Sequence, residues 1–257
     1  MPGFLQQFAE FWQLHMPGFS QQLAEFWRLH IVRNFIEKDR WKYLTTGLQN
    51  TLLISLGALA IGLILGALVA MIRVTHDKAE KPSAALRFGN GICQLYLTII
   101  RSTPVMVQLL IAYYVIFVGP FDPGKLIVAI MAFGINSGAY VAELFRGGIM
   151  SVDPGQMEAG RSLGLSYWQT MMQIILPQAL KTALPSLCNE GIALLKETSV
   201  VGVIGLTELT RGANQISSQT FDYFPPLLAT AAIYLVIVVI LTRLVRILER
   251  RLAQSER

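Results

Sequence analysis

The chain has 257 residues, 53% hydrophobic and only 14% charged, with a formal net charge of +5. Soluble domains carry about 25% charged residues, so this composition excludes an ordinary soluble domain and indicates a polytopic membrane protein. The length suits about five spans plus one substantial loop in a single all-α membrane domain, and lipid rather than nucleic acid is the expected surrounding.

The chain opens on a tandem repeat. MPGFLQQFAEFWQLH (1–15) is followed by MPGFSQQLAEFWRLH (16–30), identical at twelve of fifteen positions. Phe4, Phe8, Phe11, Trp12 and His15 follow helical spacing, as do Phe19, Leu23, Phe26, Trp27 and His30. Each copy reads as a short amphipathic helix with aromatics for the headgroup region, or as a duplication with no role of its own. No basic start and uninterrupted apolar core of a cleavable signal is expected in the first fifteen residues. Residues 1–42 form this repeat and an extracytoplasmic lead-in.

The uncharged run TLLISLGALAIGLILGALVAMI (51–72) is long enough to cross the hydrocarbon core. Gly57, Gly62 and Gly66 recur at helical spacing and permit close approach of another helix. A second span, 88–118, is interrupted at Arg101-Ser102-Thr103-Pro104, where proline removes a backbone donor. The third is 126–142. A long polar segment, 146–181, separates it from a fourth span beginning at 182 and broken by Glu190, Lys196 and Glu197. Residues 211–223 read as a polar loop, and 224–242 as the last span, leading into a basic tail over 243–257. Cys93 and Cys188 lie in apolar segments without metal-ligand spacing and read as small buried hydrophobes.

Arg73, Lys78, Lys81 and Arg87 fill the first loop, Arg146, Arg161 and Lys181 mark the long segment, and the tail is arginine-rich. The positive-inside rule puts these in the cytoplasm and the N-terminus outside. Arg28, Arg33, Lys38, Arg40 and Lys42, ahead of the first span, oppose that assignment.

In the long segment, Asp153 or Ser151 can cap a helix whose first turn holds Pro154. Gly164 ends it in a left-handed conformation, Ser166 caps the next helix, and Pro177 bends the chain back toward the bilayer. The product is a rigid lever fit for a groove in a partner, or an amphipathic loop resting on the membrane.

The stretch EAGRSLGLSYWQTMMQIILP (158–177) resembles the cytoplasmic-loop signature of ATP-binding-cassette importer permeases. The match rests on Glu158, Ala159, Gly160, Gly164, Ile174, Leu176 and Pro177, with Gly160 where the family usually has alanine. YLTIIRSTPVMVQ (96–108), GAYVAELFRGGI (138–149), LPQALKTALPSL (176–187) and LLKETSVVGVIG (194–205) are similar to the polar amino-acid branch, so the resemblance covers roughly 45–250. It implies a permease domain over 43–250, in the bacterial cytoplasmic (inner) membrane, with 146–181 as coupling loop. The resemblance also implies two cytoplasmic ATPase subunits, an extracytoplasmic amino-acid-binding protein and a second permease subunit, identical or related. ATP and magnesium would belong to the ATPase, and this chain is expected to bind no cofactor or metal and to catalyse nothing.

Charges inside spans are costly and should face a cavity or each other. A zwitterionic amino acid needs an anion for its ammonium and a cation or donors for its carboxylate. Arg101 and Glu190 suit those roles, and Gln108, Asn136, Ser137 and Asn189 can add hydrogen bonds. Structural ion pairs involving Arg101, Glu143 and Lys196 are the other reading. Broken, charged spans also suit an ion-coupled secondary amino-acid transporter, although no inverted repeat is visible.

Overall fold

The computed structural model describes residues 25–119 and 122–254. The first repeat copy and most of the second therefore lie outside the described residues. Every regular element among the described residues is helical.

A short helix of π-type winding, α1 (Trp27–Ile36), passes through a 3₁₀ turn into the 38-residue α2 (Trp41–Lys78). Helix α3 (Ala84–Ser102) is capped by Ser83, whose hydroxyl accepts from the Leu86 amide. It ends where expected, at Thr103-Pro104, and α4 (Val105–Ile111) departs at 108°. Helix α5 (Lys125–Met150) returns along α2. The run is longer at both ends than the span 126–142, since a bilayer-crossing helix keeps its hydrogen-bond ladder past the apolar stretch.

Helices α2, α5 and α10 (Phe224–Gln254) are each long and apolar enough to cross a membrane, with mean hydropathy of 2.6, 1.5 and 2.5. The bent pair α3–α4 makes a fourth if counted as one span. The arginine-rich segment expected as a tail continues α10 as helix up to residue 254.

The glycines of α2 set its fit against α5. A methyl group on Gly66 would sit 2.5 Å from Val141 Cγ1, and one on Gly62 3.0 Å from Ser137 Oγ. Around this contact Ile54, Ala58, Val128, Ala129 and Phe133 form the largest buried cluster.

Between α5 and α10 the polar segment is shorter than 146–181. It holds α6 (Pro154–Ser162) and α7 (Tyr167–Thr170). A π-helical turn, Met171–Ile175, then runs without interruption into α8 (Leu176–Glu197). Pro177 does not interrupt the helix. It falls in the first turn of α8, just after the π turn, where an extra residue per turn frees the ladder from needing a donor at that position. Nor do Glu190 and Lys196 break the helix, which tightens to a 3₁₀ turn only at Thr198.

The expected loop 211–223 is mostly helix, α9 (Leu209–Thr220). Glu208 caps it, its two carboxylate oxygens accepting from the amides of Thr210 and Arg211. Leu209, Gly212, Ala213, Ile216 and Thr220 make a buried stripe against α2, and Phe221 at φ +56° closes the helix.

The bundle has two distinct ends. At one, the start of α2 meets α9, with the Asn50 amide donating to the Thr207 carbonyl. At the other, Val74 near the end of α2 packs with Ile149, Val152, Met171 and Ile175 beside α6.

Candidate functional site

Two regions combine polar chemistry with accessibility, one at the α6 corner and one inside the bundle.

At the corner, Asp153 caps α6 by accepting from the Gly155 amide at 2.7 Å, and Pro154 occupies the first turn. Ser166 and Gln169 form a reciprocal capping box at the start of α7. Between them Gly164 stands at φ +87°, a conformation cheap only for glycine. Gly160 faces inward, where an added methyl would lie 2.5 Å from Thr170 Cγ2. Ile174 packs on the buried cluster under the corner, and Leu176 is half-buried. Glu158, Ala159 and Pro177 are exposed, and so is Leu163, at 81%. The signature residues thus divide: Gly160, Gly164 and Ile174 shape the corner, while Glu158 and Ala159 lie on its accessible surface beside Leu163.

Inside the bundle, a polar groove opens between α2, α3, α5 and the end of α8. One lobe of about 600 Å³ is lined by Arg73, Gln94, Thr98, Arg101, Tyr140 and Glu143, among others. The adjoining lobe, about 310 Å³, shares Arg101, Ser102 and Tyr140 and adds Thr103, Asn136 and Glu197. The Arg101 guanidinium lies over the Tyr140 ring at 5.7 Å, an attraction between cation and ring face.

Of the expected path residues, Arg101 and Asn136 line this groove. Gln108 serves the break instead. Its amide donates to the carbonyls of Ile100 and Thr103 and to the Thr103 hydroxyl, and its oxygen accepts from Asn136 at 3.0 Å. Ser137 is wholly buried and donates to Glu190 at 2.9 Å. Asn189 is exposed on α8. Glu143 pairs with Arg73 at 2.9 Å and with Arg146 at 3.1 Å, so its ion pairs run to these two arginines and not to Arg101 or Lys196.

The groove residues not anticipated were Gln94, Thr98, Tyr140 and Glu197. For the first three the signal was periodic: Gln94, Thr98 and Arg101 recur at i, i+4, i+7 along α3, as do Asn136, Tyr140 and Glu143 along α5, whereas Glu197 at the end of α8 lies on neither file. Such spacing stacks side chains on one helical face.

A helical membrane bundle with a polar groove and a capped corner between spans defines a transport permease. The chain belongs to the family of binding-protein-dependent transport system inner membrane components, whose model matches residues 83–254. It is 36% identical over 217 residues to the putative glutamine transport system permease protein GlnP of Rickettsia bellii, covering 83% of this chain and 94% of that protein. The arginine transport system permease protein ArtQ of Bacillus subtilis is also 36% identical, over 83% of this chain and 94% of its own length. The glutamine permease GlnP of Escherichia coli is 37% identical over 81% and 92%. Among solved structures, one described as an amino acid ABC transporter with histidines matches at 38% identity and a TM-score of 0.73, covering 82% of this chain and 94% of that one. The inward-facing MetNI methionine ABC transporter, at 21% identity and a TM-score of 0.65, shares the fold. The chain is therefore a permease subunit of the ATP-binding-cassette kind, and the ion-coupled alternative finds no support in these relatives.

Proposed function

We propose that this chain forms the membrane path of a bacterial importer for polar amino acids, with α8 as the fifth span. The observation that carries the reading is the groove, in which Arg101 and Glu197 line one lobe. A zwitterion needs both signs of charge, and hydroxyls at Ser102 and Thr103 and the Asn136 amide lie among them. Glu197 thus takes the role expected of Glu190, whose carboxylate is held by Ser137. The relatives named for glutamine and arginine transport support an amino-acid cargo.

The α6 corner is the coupling element, seated in a cytoplasmic ATPase that binds ATP and magnesium. Glu158, Ala159 and Leu163 make its contact surface. A second permease subunit closes the open groove, and a binding protein delivers solute to the opposite end. That end is extracytoplasmic, with the N-terminus outside and the C-terminus in the cytoplasm. Three of the five basic residues that opposed this orientation are engaged locally. Lys42 pairs with Asp39 at 2.7 Å, Arg40 with Glu37 at 3.8 Å, and Arg33 donates to the Thr220 carbonyl.

The test is uptake of labelled amino acids by the complex reconstituted in vesicles. Arg101→Gln and Glu197→Gln should each cut uptake about tenfold or more, the loss of one charge-assisted contact, with ATPase recovery unchanged. Wild-type uptake by both variants would remove the groove from the path.

A further inference from the structure

Helix α1 turns His30 and Asn34 inward, beside the half-buried Phe35 that packs on Leu209 and Ile216. His30 Nδ1 lies 3.0 Å and Asn34 Nδ2 2.9 Å from the same Asp222 carboxylate oxygen. The Thr220 hydroxyl donates to Asn34 Oδ1 at 2.7 Å, and Arg33 donates to the Thr220 carbonyl. Asn34 and Thr220 are 0% and 1% exposed. The outward side presents Phe26, Trp27, Leu29 and Ile36, with Trp27 57% exposed.

A helix packed on a protein in water arranges itself the other way, apolar stripe inward and polar face out. The inverted order is stable where the surroundings solvate hydrocarbon. The outer face of α1 is also continuous with lipid-length surfaces. Downstream, Trp41 opens α2, whose Leu52, Leu53 and Leu56 are exposed. Beside Asp222, Phe221, Tyr223 and Phe224 are exposed where α10 begins. Tryptophan and tyrosine favour the headgroup level of a bilayer. The charged residues of the outer side, Glu25 and Arg28, suit the same depth.

We propose that residues 25–41 lie in the plane of the membrane interface, at the end where α2 and α10 begin. Their aromatic face contacts lipid at the headgroup–acyl boundary, and their polar face is locked onto Thr220 and Asp222. The segment is an in-plane anchor that ties the end of α9 to the bilayer surface. The proposal rests on the chain's spanning a membrane and is independent of the cargo.

The experiment uses the full chain with Cys93→Ser and Cys188→Ser, assembled with its partners in vesicles of phosphatidylethanolamine and phosphatidylglycerol. Trp27→Cys is labelled with an environment-sensitive fluorophore and exposed to lipids carrying a nitroxide near the headgroup or near the chain end, and to aqueous iodide. The shallow nitroxide should remove most of the emission, and the chain-end nitroxide and iodide little. A label at Ser218→Cys, on the exposed side of α9, should respond to iodide alone. Quenching at position 27 by iodide alone would mean that the face is in water, and quenching by none of the three that a protein covers it. Either result overturns the anchor. Should the labelled variant fail to assemble, the difference in native tryptophan emission between wild type and Trp27→Phe, read with the same quenchers, decides the matter.

Discussion

At Gly160 one methyl group decides whether the α6 corner closes. A small-for-small exchange with the alanine usual in similar permeases looks neutral in the sequence, yet a Cβ here meets Thr170 Cγ2 at 2.5 Å and Oγ1 at 2.9 Å. Overpacking of this kind costs about 1–3 kcal/mol. Gly160→Ala should therefore lower the thermal midpoint of the purified complex, and Thr170→Ala in the same chain should recover part of the loss. Strictly additive losses in the double variant would show that the two sites do not touch. Asp222 offers a second test at this scale. Partial burial raises its pKa, but hydrogen bonds from Asn34 and His30 and the imidazole charge outweigh that and hold it below the ordinary aspartate value. A depressed carboxylate stabilises the fold above its unfolded pKa of about 3.9, and that contribution is lost as pH falls through the lower folded value. Acidification through this range should thus free the α1 segment, read as faster protease cleavage around residue 37. Asp222→Asn should show the faster cleavage already at neutral pH.

The break between α3 and α4 works as an element because Gln108 staples it. The Ile100 carbonyl, left without its donor by Pro104, and the carbonyl and hydroxyl of Thr103 are met by one side-chain amide, and the other end of that amide holds Asn136 on α5. Gln108→Leu strands the Asn136 amide in a site only 3% exposed, at a cost of about 1–3 kcal/mol. We expect normal membrane insertion with a lower unfolding midpoint; an unchanged midpoint would mean that water replaces the staple. Much of this level was legible in the sequence. The proline break, the close approach at Gly62 and Gly66, and the caps at Asp153 and Ser166 follow from local chemistry that needs no tertiary partner. Helix α9 was not legible as such, since TRGANQISSQT reads as polar. Its buried stripe of Gly212, Ala213, Ile216, Ser217 and Thr220 is made of small or polar residues that only a facing helix can use. The groove was missed in part for a related reason. Charge alone pairs Arg101 with Glu190, whereas the i, i+4, i+7 files on α3 and α5 put Arg101 on a wall with Gln94, Thr98 and Tyr140, and only the fold brings Glu197 to it.

Across the whole molecule, the α6 corner and the groove are joined by one continuous helical run, from Tyr167 through the π turn to Glu197. On the proposed coupling role, a tilt imposed at the corner would reach the groove's Glu197 through helix alone, past the π turn and Pro185, without an intervening loop. Gly164 tests the link, because nothing lies within 4 Å of a methyl placed there and its φ is +87°. Gly164→Ala should cost only backbone strain, about 1–2 kcal/mol, and leave transport coupled. Gly164→Trp adds bulk on the accessible surface and should separate ATP hydrolysis from uptake, or release the ATPase. A tryptophan variant that stays fully coupled would sink the lever. The same corner has a consequence for the cell. A chain made without its partner presents Leu163, Trp168 and Met172 to the aqueous side, all exposed and all apolar. An exposed apolar patch marks an interaction site or a liability when left uncovered, so a subunit without its partner would carry its own tag for disposal. On the coupling role proposed for this corner, stoichiometry among subunits would be kept by turnover of the surplus, with the uncovered surface as the reporter of an unfilled place.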